Sequence, residues 1–219
     1  MHIRLFILLL PLALLAFPAM VPAAAEPVGQ VTTPSRNEGT PPPPVAAPAA
    51  ADSFWSRLGV TERKGLALQV TSSYDPNFQV STVTTNFSLH YDHGRLWDGV
   101  RAGNKEFKLE GVLGGLVRPE LRTVVAVSML SVYYPDLGKR AGFRPYLEAG
   151  IGGIYTDYQV EGQGLRLNFN PQVGVGGEFP ANGDGGTYFS VRLHHVSNGS
   201  LNHNNQGINS LLFQIGRFF

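Results

Sequence analysis

The sequence predicts one antiparallel, membrane-spanning β-barrel of eight strands, and three observations carry that prediction. From Gly65 onward, segments of roughly ten residues alternate apolar and polar side chains between turn residues, the pattern of a barrel with lipid outside and a filled lumen inside. Charged residues make up only 15% of the chain, against about a quarter in an ordinary soluble domain. The polar face of the segments is rich in glycine and carries opposite charges, which suits a narrow interior better than a surface in water.

Each part of the chain fits this plan in order. His2 and Arg4 form a short basic start, Leu5 to Phe17 is apolar apart from Pro11, and Ala23-Ala24-Ala25 has the small residues of a cleavage site. Residues 1–25 therefore read as a signal peptide. The apolar run is short for a membrane anchor, which needs about 20 such residues. Residues 26–52 read as a linker, with Pro41-Pro42-Pro43-Pro44 and an Ala/Pro tract but no apolar periodicity. Residues 53–219 are assigned to the barrel. Phe54-Trp55-Ser56-Arg57-Leu58 leads into it with the composition of a membrane interface.

Eight segments follow, at about 65–73, 79–91, 105–117, 121–134, 143–157, 165–179, 186–197 and 207–219. Successive side chains on a strand point to opposite faces. The first segment sets Leu66, Leu68 and Val70 against Gln69 and Thr71. The third sets Phe107, Leu109, Leu113 and Val117 against Lys108 and Glu110. The sixth sets Leu165, Leu167, Phe169, Val173, Val175 and Phe179 against Arg166, Asn168, Asn170, Gln172 and Glu178. The polar face is expected to hold an internal network of Arg122, Arg166 and Arg192 with Glu110, Glu148 and Glu178. Gly114, Gly150, Gly152, Gly174 and Gly176 are expected to line the lumen. Tyr91, Trp97, Tyr133, Tyr134, Tyr155, Tyr158, Tyr188 and Phe219 recur near segment ends, where aromatic girdles belong.

These features exclude several functions. Eight strands enclose a space that side chains fill, so a diffusion channel is not expected. Cysteine is absent, which removes thiol chemistry and thiolate metal sites. A net charge of +1 gives no basic face for nucleic acid. His90, His93, His194 and His203 lack ligand spacing, so neither metal nor another cofactor is called for. Gly150-Ile151-Gly152-Gly153 and Gly174-Val175-Gly176-Gly177 lie inside strands and read as packing residues. Asn86-Phe87-Ser88 and Asn198-Gly199-Ser200 match a glycosylation acceptor by accident.

One stretch breaks the rule of an apolar outer face. Phe189, Val191 and Leu193 have outward parity, and the same parity continues to His195 and Ser197. Polar side chains facing lipid are costly unless they have a task or sit near the interface. In the last segment, Leu211, Phe213 and Ile215 share their parity with Asn209, which a hairpin would return beside His195. Ser, His and Asn on one face form the outline of an acyl-transfer site, with imidazole as base for the hydroxyl and a third group orienting the ring. A His-x-Ser pair is also common, and Asn, Gly and Ser are ordinary loop residues. Parity alone leaves both readings open.

The run His195-Val196-Ser197-Asn198-Gly199, followed by Asn205-Gln206-Gly207-Ile208-Asn209-Ser210, resembles the carboxy-terminal motif of the lipid A 3-O-deacylases (PagL-like enzymes). The terminal Phe219 likewise resembles the ending of outer-membrane barrel proteins. The resemblance implies an eight-stranded barrel in a bacterial outer membrane that hydrolyses the 3-O-linked acyl chain of lipid A in lipopolysaccharide. It implies Ser197 as nucleophile, His195 as general base, and Asn205 with backbone N–H groups following Ser197, at Asn198 and beyond, around the oxyanion. Two departures stand out. Asn209 occupies a place where the best-known members carry Glu, and Ser200 one where Gly is common. Asn209 can orient a histidine but cannot offset its charge, so a weakly active or inactive barrel with a structural or lipid-binding role is the alternative. A surface-loop adhesin finds little support in the short, plain loops near 92–104 and 198–206. The sequence leaves monomer and homodimer both open.

Overall fold

The computed structural model describes residues 54–59, 61–96, 103–137, 142–181 and 185–219. The expected signal peptide, the linker and Trp97 lie outside the described residues. The strands are β1 (Arg63–Ser73), β2 (Ser81–Asp92), β3 (Lys105–Arg118), β4 (Arg122–Tyr133), β5 (Arg144–Thr156), β6 (Leu167–Phe169), β7 (Gln172–Pro180), β8 (Gly186–Val196) and β9 (Ile208–Phe218). Two short helices, α1 (Phe54–Leu58) and α2 (His93–Leu96), accompany them. Strands β6 and β7 are two pieces of one barrel strand, broken at Asn170-Pro171, and both pair with β5. Every strand is antiparallel to the next, and β9 pairs back onto β1 from Gly65↔Phe218 to Ser73↔Ser210. The ring is thus closed, with eight barrel strands and no exposed edge. Closure is what lets a sheet cross lipid, because every backbone polar group finds a partner within the sheet.

The two faces sort as the alternation predicts. Leu66, Val70, Leu113, Val127, Met129, Leu147, Val175, Phe213 and Ile215 face outward and are exposed, whereas Gln69, Thr84, Asn86, Ser128, Gln172, Ser190 and Gln214 are buried inside. An apolar belt this extensive around a polar interior is stable only with lipid against it. Interior glycines set strand spacing where side chains cannot fit. A Cβ on Gly150 would lie 2.0 Å from the Met129 carbonyl, and one on Gly174 would lie 2.3 Å from that of Val191.

The lumen is filled by an ionic cluster. Arg192 donates to both Glu110 oxygens at 2.8 Å each, to Glu148 at 2.7 Å through Nε, and to Gln172 at 3.1 Å. Lys108 bridges Glu148 and Glu110. All four charged groups are buried, which is tolerable only because each is paired. Arg122 and Arg166 do not join this cluster. Both stand at the rim, where the chain meets water, and Arg122 pairs with Glu120 instead. Glu178 belongs to a second cluster near the start of β1 and the end of β9. There Arg63 binds Glu106 and Glu178 at 2.9 and 3.0 Å, with Tyr134, His90 and Arg144 around them. Arg63 lies two residues before the alternating segment 65–73, so the alternation gives no signal for it.

The aromatic residues divide more than expected. Tyr133 and Tyr155 are exposed on the outer wall. Tyr134 and Tyr188 turn inward, Tyr188 stacking on Phe218 with ring centroids 4.4 Å apart. Tyr91 and Phe107 face outward but are buried with Leu96 of α2, while Leu58 of α1 packs against the same cluster. At the opposite end, the interior is apolar. Val80, Leu116, Val124, Ala126, Ile154, Val160, Val196 and Ile208 form one cluster across the lumen.

Candidate active site

That apolar cluster positions the outward-facing residues. Val196 and Ile208 are cross-strand partners at the tip of the β8–β9 hairpin, and both side chains are buried inside. With those two pinned inward, alternation drives His195, Ser197 and Asn209 onto the outer wall. His195 and Asn209 are themselves cross-strand partners, and His195 Nδ1 lies 2.8 Å from Asn209 Oδ1. With Asn209 Oδ1 as acceptor, the imidazole carries its proton on Nδ1 and leaves Nε2 as the basic nitrogen. Directly below them on the same face stand Leu193 and Leu211, also partners. The polar group therefore rides at the upper edge of an apolar wall.

Ser197 lies just beyond β8. Its backbone is clamped to Phe169, with the Phe169 N–H donating to its carbonyl at 2.8 Å and its N–H donating back at 3.1 Å. The Ser197 amide is therefore already engaged. The chain then turns through two left-handed residues, Gly199 at φ 63° and Ser200 at φ 66°. At Gly199 a side chain would press on the Phe169 ring at 3.1 Å, so glycine is required there twice over. Ser200 adopts the same backbone region without that freedom.

The loop from 197 to 207 is braced from behind. Asn198 is fully buried, and its side-chain amide donates to the carbonyls of Asn204 at 2.7 Å and Gln163 at 3.1 Å. Its side chain thus faces away from the outer wall. Its backbone N–H donates to Asn205 Oδ1 at 2.8 Å, and the Asn205 amide NH2 donates in turn to Ser200 Oγ at 3.4 Å. The Gln206 N–H donates to the Gly162 carbonyl at 2.8 Å. A segment after β5, reaching from Val160 to Gly164, therefore supports the loop. Sequence reasoning missed this support because Gln163 and Gly162 carry no local signal and act from more than thirty positions away. His194 points inward beside His195 and takes no part on the outer wall. Among the described residues, no group of three or more His, Asp or Glu side chains gathers to hold a metal.

The family model for lipid A 3-O-deacylase (PagL) matches residues 65–217. The chain belongs to that family. The match spans the barrel from β1 to within two residues of the end, and it covers every residue of the site. The family is one of outer-membrane hydrolases acting on lipid A, and the barrel is a bacterial outer-membrane protein. Among solved structures, the outer-membrane enzyme PagL is 23% identical, with 69% of this chain and 97% of that chain covered at a TM-score of 0.49. Neisserial surface protein A is 11% identical over 71% of this chain and 94% of its own, at a TM-score of 0.54. The amino-terminal barrel of Pseudomonas aeruginosa OprF is 15% identical over 73% and 98%, at 0.46. At 11% identity, the likeness to Neisserial surface protein A speaks to the barrel fold alone. A search of the curated proteins gives no match.

Proposed function

We propose that this PagL-family barrel hydrolyses the 3-O-linked acyl ester of lipid A, with Ser197 as nucleophile and His195 as general base. The observation that carries the reading is the His195–Asn209 hydrogen bond of 2.8 Å on the lipid-facing wall, two residues from an outward serine. Buried polar chemistry is ordinarily placed inside a barrel. A pair held outward, above an apolar wall, fits a substrate that itself sits in the membrane.

In this mechanism the Ser197 hydroxyl attacks the ester carbonyl while His195 Nε2 takes its proton. The resulting oxyanion is held by the Asn205 side-chain amide and by N–H groups of the Gly199-Ser200 turn; the Ser197 and Asn198 amides are already engaged. The tetrahedral species collapses by breaking the bond to the sugar oxygen, which leaves with the proton from the imidazolium. The acyl chain remains on Ser197 until water, deprotonated by His195, attacks the carbonyl; the bond to Ser197 Oγ then breaks, Oγ takes the proton back from the imidazolium, and a free 3-hydroxy fatty acid leaves. An apolar groove lined by Leu193, Leu211, Val191, Val173 and Ala149 runs down the wall below the site and suits the acyl chain.

The test is mass spectrometry of lipid A from cells producing this protein or its Ser197→Ala variant. Loss of one 3-hydroxyacyl mass is expected with the parent and not with Ser197→Ala. Unchanged lipid A with a folded parent refutes the activity. One observation favours a second reading, an idle barrel: Asn209 brings no charge to the imidazolium. Cleavage by Asn209→Glu but not by the parent would establish that reading.

A further inference from the structure

We propose that Gly207 is a positioning residue whose missing side chain makes room for the His195 imidazole. This inference rests on the Ser/His reading above. Gly207 immediately precedes β9, and its φ is outside the left-handed region that Gly162, Gly164 and Gly199 adopt. The backbone at 207 therefore suits any L-residue. What glycine spares is the ring: a Cβ there would lie 2.6 Å from His195 Cε1 and 3.2 Å from Nε2. The nearest backbone atom, the Val196 carbonyl oxygen, would be at 3.5 Å, an ordinary contact.

The imidazole is thus seated between two neighbours. Asn209 holds it at Nδ1 by the 2.8 Å hydrogen bond, and the bare Gly207 backbone lies against its Cε1–Nε2 edge. With Nδ1 tethered, a methyl group at 207 swings the opposite edge of the ring. That edge carries Nε2, the atom that must meet the Ser197 hydroxyl. The swing needed to restore ordinary contact is roughly 1 Å, a misplacement that costs about a hundredfold in rate.

The experiment compares the refolded full-length mature barrel with Gly207→Ala, His195→Ala and the double variant, with 3-hydroxyacyl release from lipid A as the rate. Gly207→Ala is expected to lower kcat about a hundredfold with KM little changed, and to add nothing in the His195→Ala background. Equal losses in both backgrounds, or none in the parent, overturn the proposal. A readout independent of catalysis accompanies it. In imidazole 15N spectra, Gly207→Ala is expected to move the His195 signals and leave those of the other histidines in place. Unmoved His195 signals overturn the proposal even if the parent proves inactive on lipid A, and a selective shift supports it in that case too. Should Gly207→Ala fail to fold, His195→Ala must restore folding by removing the ring that the methyl strikes. A double variant that still fails to fold overturns the proposal.

Discussion

Replacing Asn209 by Asp tests the proposed Ser197/His195 site at the position where it would depart from a charged triad. Asp has the size and shape of Asn, so the 2.8 Å contact to His195 Nδ1 is retained and only the charge changes. In serine proteases the change from Asp to Asn costs about ten-thousand-fold, largely because the amide turns its NH2 to the ring and selects the wrong tautomer. Here the amide oxygen faces Nδ1, so that part of the loss does not arise. What remains is the charge. A hydrogen bond to a charged group exceeds a neutral one by about 1–1.5 kcal/mol. A full ion pair near 4 Å at an effective dielectric of 20 is worth about 4 kcal/mol. At 1.36 kcal/mol per tenfold, Asn209→Asp is expected to speed deacylation by about fivefold at least and about a thousandfold at most. Initial rates of 3-hydroxyacyl release by the refolded barrel in lipid A micelles measure this. Heat-modifiable migration on gels checks that the variant is folded. A folded Asn209→Asp no faster than the parent would refute the argument that the missing charge limits this site.

Two further outcomes test the barrel beneath the site. Arg192→Ala leaves Glu110 and Glu148 buried with Lys108 as their remaining cation, and a loss of about 3–5 kcal/mol is expected in urea unfolding from lipid vesicles. A loss below 1 kcal/mol would mean that water reaches the cluster. Val127→Arg puts a charge on the outer wall at the middle of β4, where Val127 stands between Gly111 and Gly153 and is 57% exposed. It is expected to cost about 2–4 kcal/mol in vesicles, because the wall there faces hydrocarbon. A neutral outcome would place that wall against water or a partner subunit.

Much of this arrangement was legible in the chain because a strand has a strict period of two. Once Leu193 is outward, His195 and Ser197 follow, and the hairpin register His195↔Asn209 needs only the symmetry of two alternating segments around one loop. The charge network is less legible. Arg122 and Arg166 have inward parity, but parity does not say how far along the axis a side chain lies, and both stand above the filled part of the lumen. Tyr134 and Tyr188 looked like girdle residues because they lie near strand ends. Each instead closes the lumen, Tyr134 by donating to Glu178 and Tyr188 by stacking on Phe218.

The sequence by itself determined the barrel, the number of its strands, and the face on which Ser197, His195 and Asn209 stand. All three follow from local alternation and turn spacing, which need no knowledge of distant neighbours. Only the tertiary structure decided which groups around the site are still available. The Ser197 amide is held by Phe169, the Asn198 amide by Asn205, and the Asn198 side chain by the support segment at Gln163. It also decided that the space over Gly207 belongs to the imidazole. These contacts join residues on different strands and loops, and their distances depend on how the closed ring sets one strand beside another.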